Sequence, residues 1–195
     1  MKRIKLGVKT LQELEKIEIT NEKELLKDLY TIINILIKNK IKSFKRVLPL
    51  GDYLIDRWEK AELLGFGEGT SVYDNVVVIG DVKVGKNCWI GPNVILDGSG
   101  GLEIGDNCSI SAGVQIYSHD SVKWAISGGK ENYEYAKTTI GNNVYIGPNV
   151  IIQKGVKIGD KVIIGANSLV NKDVPSNSKA YGNPIKIFPL NKNDV

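Results

Sequence analysis

The sequence repeats with a period of six residues over its C-terminal two thirds. Aliphatic residues fall on every sixth position from Val72 to Leu96, the count slips by two residues before Ile104, and after a gap it runs from Ile140 to Val170. A helix cannot keep such residues on one face, because six residues are not a whole number of turns at 3.6 per turn. Short extended segments joined by corners can. Three units would close a triangular coil of about 18 residues, with the aliphatics inside and the coils stacked at ~4.8 Å. The period therefore predicts a mainly β solenoid.

The N-terminal region has a helical pattern instead. Apolar residues recur at spacings of three and four between Leu25 and Ile37, which predicts a helix with one apolar face. Asn21 and Glu24 form a candidate capping box before it. A second short helix is predicted over 52–64, ending at Gly65. We therefore expect a helical N-terminal region over 1–64, a β domain over 65–190 and a tail to residue 195.

Composition excludes several classes of function. The chain has 195 residues and a net charge of +4, a scattered surplus too small to indicate nucleic-acid binding but suited to a ligand with a few phosphates. Cys88 and Cys108 do not make a secreted disulfide framework, and both are expected to be buried, reduced thiols. No apolar stretch approaches the roughly 20 residues that span a bilayer, and no signal peptide is recognisable. The expectation is a cytoplasmic protein without a membrane span.

The repeat breaks between Ile116 and Ile140, which predicts a loop over 117–139 extruded from one corner. The base of this loop carries His119, the only histidine of the chain. Imidazole has an unperturbed pKa of ~6.5 and can remove a proton near neutral pH, so His119 is a candidate catalytic base. Asp120 could orient the imidazole or contact a substrate. Trp124 could line a binding site or simply anchor the loop.

Several repeat units resemble a known family. LEIGDN, VYIGPN, VKIGDK and VIIGAN are similar to the hexapeptide repeat of left-handed parallel β-helix acyltransferases, over roughly residues 66–190. The resemblance implies a homotrimer with active sites between neighbouring prisms and acetyl-CoA as cosubstrate, without a metal. YSHD resembles the motif that holds the general base of the family. His119 would then take the proton of the acceptor as it attacks the thioester carbonyl.

The resemblance also implies binding residues. Gly147 and Gly165 are one coil apart and would stack as a groove for the pantetheine arm of coenzyme A. Pro148, which has no N–H to donate, stands where a serine is common. The implied cofactor-binding residues are Tyr145, Gly147, Gly165, Ala166, Lys172 and Lys186, and the implied acceptor-binding residues are Asn93, Asp97 and Trp124.

The leading interpretation is acetyl transfer to a hydroxyl of a sugar, as in the synthesis of bacterial surface polysaccharides. An N-acetyltransferase for a nucleotide-linked amino sugar is the alternative. Serine acetyltransferase is disfavoured, because its helical N-terminal domain is longer than the region available here. A γ-type carbonic anhydrase needs three zinc-binding histidines, and a structural or ice-binding solenoid needs flat rows of threonine; the sequence has neither. The nature of the acceptor, the oxyanion-binding amide and the role of the N-terminal helices stay open.

Overall fold

The computed structural model describes residues 21–191, and the chain divides into two compact units between Leu48 and Pro49. The predicted helical region and tail also include residues 1–20 and 192–195, which lie outside the described part. The first unit holds helix α1 (Glu22–Phe44), whose first turn is capped as predicted. The Asn21 side chain accepts from the Glu24 N–H at 3.3 Å and donates to the Glu24 carboxylate at 3.2 Å. No residue of this helix is buried.

Two short helices, rather than the one predicted over 52–64, begin the second unit. Helix α2 spans Gly51–Leu54 and helix α3 spans Arg57–Leu63. They are separate because Ile55 and Asp56 adopt extended conformations, and the Asp56 carboxylate caps α3 by accepting from the Trp58 N–H at 3.0 Å. The domain boundary at residue 64 stays a prediction. None of the helices described in 21–191 is long and apolar enough to cross a membrane.

The rest of the second unit is a parallel β-helix with three faces. The first face is a sheet in the order β1-β3-β5-β10-β13-β15-β16, parallel except for the last pair. A second sheet forms the other two faces: β6, β11 and β14 lie on the second face, β9 and β12 on the third, and β2 and β4 run through both. The strands are β1 (Ser71–Val72), β2 (Val77–Val84), β3 (Trp89–Ile90), β4 (Ile95–Ile104), β5 (Ser109–Ile110), β6 (Gln115–Ile116), β7 (His119–Asp120), β8 (Glu134–Tyr135), β9 (Thr138–Ile140), β10 (Tyr145–Ile146), β11 (Ile151–Ile152), β12 (Lys157–Ile158), β13 (Val162–Ile164), β14 (Leu169–Val170), β15 (Ser178–Tyr181) and β16 (Lys186–Pro189).

Two edges of this prism matter for function. The glycine edge, between the first and second faces, includes the corners at 91–94, 111–114, 147–150 and 165–168. The loop edge, between the second and third faces, includes the corners at 98–101, 118–137, 153–156 and 171–173. Asparagines with positive φ, such as Asn93 and Asn149, turn many of the corners, since asparagine tolerates the left-handed conformation better than most residues.

The repeated aliphatics fill the interior, as the period predicts. Cys88 and Cys108 are buried free thiols, as expected. A wholly buried aliphatic stands on strand after strand: Val72, Ile90, Leu96, Ile110, Ile116, Ile146, Ile152, Ile164 and Val170 are all 0% exposed. These side chains belong to one contiguous cluster of buried residues, so the core is continuous along the prism axis.

Strand β5 allows a matched test of this core. Ile110 points inward and is wholly buried, whereas its neighbour Ser109 points outward and is half-buried. We expect Ile110→Ala to lower the free energy of unfolding by about 2–5 kcal/mol, because it leaves a cavity in a packed interior. Ser109→Ala should change it by less than about 0.5 kcal/mol. Denaturant titration followed by circular dichroism measures both, and equal effects would contradict the inward orientation of Ile110.

Candidate active site

The loop predicted over 117–139 leaves the prism after Ile116 and rejoins it at Thr138. Its base is a two-stranded antiparallel pair in which His119 lies opposite Tyr135 and Asp120 opposite Glu134. Its outer part begins with a short helix, α4 (Val122–Ile126). The His119 side chain is 30% exposed, so the imidazole is both anchored and accessible.

A buried carboxylate holds the imidazole. Asp97 Oδ2 lies 2.5 Å from His119 Nδ1 and accepts from the Ser118 N–H at 3.0 Å. Asp97 Oδ1 accepts from the Ser99 N–H at 3.0 Å and from the Ser99 hydroxyl at 2.6 Å. Burial by itself raises the pKa of Asp97, but the hydrogen bonds from Ser99, Ser118 and His119 lower it to about 2. An ionised carboxylate on Nδ1 selects the tautomer with hydrogen on Nδ1, which leaves Nε2 to accept a proton.

The structure corrects the roles expected for two carboxylates. Asp97 was predicted to contact the acceptor, but its side chain is only 1% exposed and both of its oxygens are engaged within the corner. Asp120 was a candidate to orient the imidazole, yet its oxygens meet the Val122 N–H at 3.1 Å and the Lys154 ammonium at 2.7 Å. Asp97, rather than Asp120, therefore orients the His119 ring. Contact between Asp120 and the acceptor stays a prediction.

An ion-pair network ties the loop to the following coil. Lys154 Nζ lies 2.7 Å from Asp120 and 2.8 Å from Glu134, and Lys123 Nζ lies 2.6 Å from Glu134. Asp120, and then Glu134, raise the pKa of Lys154. Lys154 thus joins the outgoing and returning strands at the loop base. The sequence contains no signal for this role, since a lysine at a β-helix corner is ordinarily solvated.

Aromatic rings flank the imidazole. The rings of Tyr133 and Tyr135 lie roughly parallel to that of His119, with centroids 6.4 Å and 5.9 Å away. Trp124 packs edge-on against Tyr133 at 5.7 Å and is 45% exposed. The tryptophan therefore packs within the loop, and its expected contact with the acceptor stays a prediction.

A cleft of about 630 Å³ opens beside His119, a size suited to a small ligand. Among residues 21–191, no group of three or more histidine, cysteine or acidic side chains could hold a metal ion. The lining residues are Tyr117, His119, Asp120, Ser121, Val122, Ile151, Gln153 and Lys154.

The other expected binding residues lie mostly on the glycine edge. A Cβ atom built on Gly147 would lie 2.6 Å from the Ala166 nitrogen, so Gly147 stacks on the Gly165 rung as predicted. Asn93 has a positive φ at a corner of the same edge, and its side-chain oxygen accepts a hydrogen bond from the Asn75 amide at 2.6 Å.

Three further residues were expected to bind the cofactor. Lys186 lies opposite Tyr181 at the end of β15, near the same edge, and Tyr145 is exposed on the first face. Unlike the other expected cofactor-binding residues, Lys172 lies on the loop edge, where it is exposed at the corner after β14. Within one chain, the second face thus separates the cleft from the expected cofactor groove.

Comparisons with known proteins agree with this architecture. A family model described as bacterial transferase hexapeptide (six repeats) matches residues 137–172, and one described as hexapeptide repeat of succinyl-transferase matches residues 81–118. The predicted left-handed parallel β-helix is confirmed.

Among curated proteins, a galactoside O-acetyltransferase of Escherichia coli (strain K12) is 33% identical over 125 residues, which cover 54% of this chain and 62% of the relative. A polysialic acid O-acetyltransferase of Escherichia coli O1:K1 / APEC is 38% identical over 128 residues, covering 64% and 36%. The chain thus spans less than two thirds of either relative. A solved galactoside acetyltransferase in complex with coenzyme A is 26% identical with a TM-score of 0.52, covering 91% of this chain and 88% of that one.

The Asp97 carboxylate predicts a pH dependence of stability. Its pKa is about 2 in the folded chain and 3.8 ordinarily. The stabilisation is therefore complete above about pH 4 and is lost as the pH falls towards about 2, by about 2 kcal/mol in total. Denaturant titrations should show the difference in unfolding free energy between wild type and Asp97→Asn shrinking by that amount over this range. Asp81→Asn, at an exposed corner, should follow the wild type.

Proposed function

Because the chain belongs to the hexapeptide-repeat family, whose coils form a left-handed parallel β-helix, we propose that it is an acetyl-CoA-dependent acetyltransferase that acts on a sugar hydroxyl. The observation that carries the proposal is the Asp97–His119 pair at the edge of an open cleft. Imidazole Nε2 takes the proton of the acceptor hydroxyl as its oxygen attacks the thioester carbonyl, and returns a proton to the departing thiolate. The Asp97 carboxylate stabilises the imidazolium formed between these two transfers.

The separation of the two edges supports a shared site. Coenzyme A is expected along the glycine edge, with Gly147, Gly165 and Ala166 against its pantetheine arm and Lys186 near its phosphates as a point charge. Lys172, on the loop edge, would approach the phosphates from the neighbouring copy of the trimer. His119 lies on the loop edge of the same chain, across the second face. A homotrimer brings the loop edge of one copy against the glycine edge of the next, which assembles both halves.

A sugar acceptor is favoured by the relatives. Two curated relatives at least 33% identical bear the names of O-acetyltransferases for a galactoside and for polysialic acid. Asn93, Asp120 and Trp124 are the proposed acceptor contacts. We place the reaction in the cytoplasm and in the synthesis of a surface polysaccharide, and an amino group on a nucleotide-linked sugar is the acceptor to be tested against the hydroxyl.

Removal of the base should abolish transfer. His119→Ala is expected to lower kcat by about 10²–10⁴-fold, the usual contribution of a positioned general base. The assay records thiol release from acetyl-CoA with free sugars, nucleotide-linked amino sugars and serine. Lys130→Ala, at the exposed part of the same loop, should keep wild-type rates. Thiol release by His119→Ala at the wild-type rate would reject the mechanism and leave the fold untouched.

Mixing two defective variants tests the shared site. Lys186→Glu should raise the KM for acetyl-CoA far more than that for the acceptor, because it reverses a charge near the phosphates. When His119→Ala and Lys186→Glu chains are unfolded and refolded together in equal amounts, about a quarter of the sites should be intact if each site uses two copies. Activity at low acetyl-CoA should then exceed the sum of the separate variants. No recovery would place both residues in a site within one chain.

A further inference from the structure

The coil that precedes the loop is two residues longer than a regular coil. Ile95 pairs with Gln115, 20 residues on, whereas regular coils advance by 18, as from Ser71 to Trp89 and from Tyr145 to Ile163. The ladder between β2 and β4 shows where the extra residues lie, because its register shifts between the pairing of Gly80 with Gly98 and that of Val82 with Leu102. The lengthened corner is Asp97–Gly101, on the loop edge and one coil before His119. It is the two-residue slip seen in the sequence.

We propose that this lengthened corner is the device that positions His119. It fixes the tautomer of the imidazole through Asp97 and leaves room for the loop through Gly100. Neither the base nor the expected binding residues require a longer coil, since 18 residues close the prism elsewhere. The additional residues of this corner contact the base of the loop.

Ser99 orients the carboxylate. It stands two residues after Asp97 and donates both its N–H, at 3.0 Å, and its hydroxyl, at 2.6 Å, to Asp97 Oδ1. This local turn is typical of aspartate followed by a polar residue. It leaves Oδ2 for the Ser118 N–H and for His119 Nδ1. One carboxylate oxygen of Asp97 is therefore held by the corner itself, and the other contacts the base of the loop.

Gly100 makes room for the two ends of the loop. Its N–H donates to the Ser118 hydroxyl at 2.8 Å, and a Cβ atom built on it would lie 2.3 Å from the Ser118 carbonyl oxygen and 2.9 Å from the Ala136 nitrogen. The Ala136 N–H donates a hydrogen bond to the Ser118 carbonyl oxygen at 2.9 Å, where the loop leaves and rejoins the prism. The φ of Gly100 is outside the left-handed region, so the position needs space rather than unusual backbone freedom. Any side chain there must displace the residue next to His119.

Gly100→Ala tests the inference against a matched control, Gly141→Ala. A Cβ atom on Gly141 would lie 2.5 Å from Asp160 Oδ1 and 2.8 Å from the Gly159 carbonyl carbon, so the crowding is comparable, but at a corner between the third and first faces. Because the chain has a single histidine, labelled ring nitrogens report on His119 alone in an NMR spectrum of the tag-free protein.

We expect Gly100→Ala to lose the single Nδ1–H tautomer and to lower kcat by about 10–100-fold, since a misplacement of ~1 Å can cost a reaction ~100-fold. The KM for acetyl-CoA should stay within about twofold. Gly141→Ala should keep the wild-type spectrum and kcat. A wild-type spectrum and kcat in Gly100→Ala would overturn the inference, as would an equal loss in both variants.

A milder variant, Ser99→Ala, keeps the test decisive if Gly100→Ala does not fold. It removes one hydrogen bond from Asp97 and adds no atoms, so the ring-nitrogen spectrum should show a second tautomer, and an unchanged spectrum would count against the positioning role. The expected change in kcat depends on the proposed function, whereas the tautomer reported by the NMR spectrum does not. Absence of transfer in the wild type with a fixed tautomer would reject the function alone.

Discussion

Backbone pairing between successive coils is the constraint on which the rest of this molecule depends. Each coil donates to the next at every face, as in the bonds from Gly85 to Ile104 and from Gly147 to Ile164. Since a six-residue unit must give one inward aliphatic and one corner, register and burial are set together. An error of one residue would turn every aliphatic of a strand to the outside. The corners alone are free to vary in length, and they vary at the loop edge.

The candidate site uses this freedom. Two consecutive corners of the loop edge depart from the repeat, one by two residues and the next by the whole extruded loop. The first holds Asp97 and the second holds His119, so the pair is formed by contacts between neighbouring coils rather than by residues close in sequence. The regular coils on either side provide a rigid support, which is what a proton-transfer site needs in order to keep its geometry.

The fold and the position of the candidate base could be predicted from the sequence, whereas the surroundings of the imidazole could not. The six-residue period predicts the β-helix, and the break in the repeat draws attention to His119. Both patterns can be seen along the sequence without knowledge of the fold. Adjacency in sequence made Asp120 one candidate to orient the imidazole, while the carboxylate that contacts it, Asp97, stands 22 residues earlier. Lys154 was missed for the same reason: only the stacking of coils brings it between Asp120 and Glu134. The break between α2 and α3 depends on the cap at Asp56, which a periodicity does not reveal.

The ion pairs of Lys154 have a consequence for how the chain matures. Asp97 and His119 can meet as soon as the loop has left the prism, but the lysine that ties both strands of the loop belongs to the coil built afterwards. On a ribosome, where the chain emerges from its N-terminus, Asp97 and His119 are therefore available to pair before Lys154 has been synthesised. The ion pairs that close the base of the loop can form only afterwards, once Lys154 has been added.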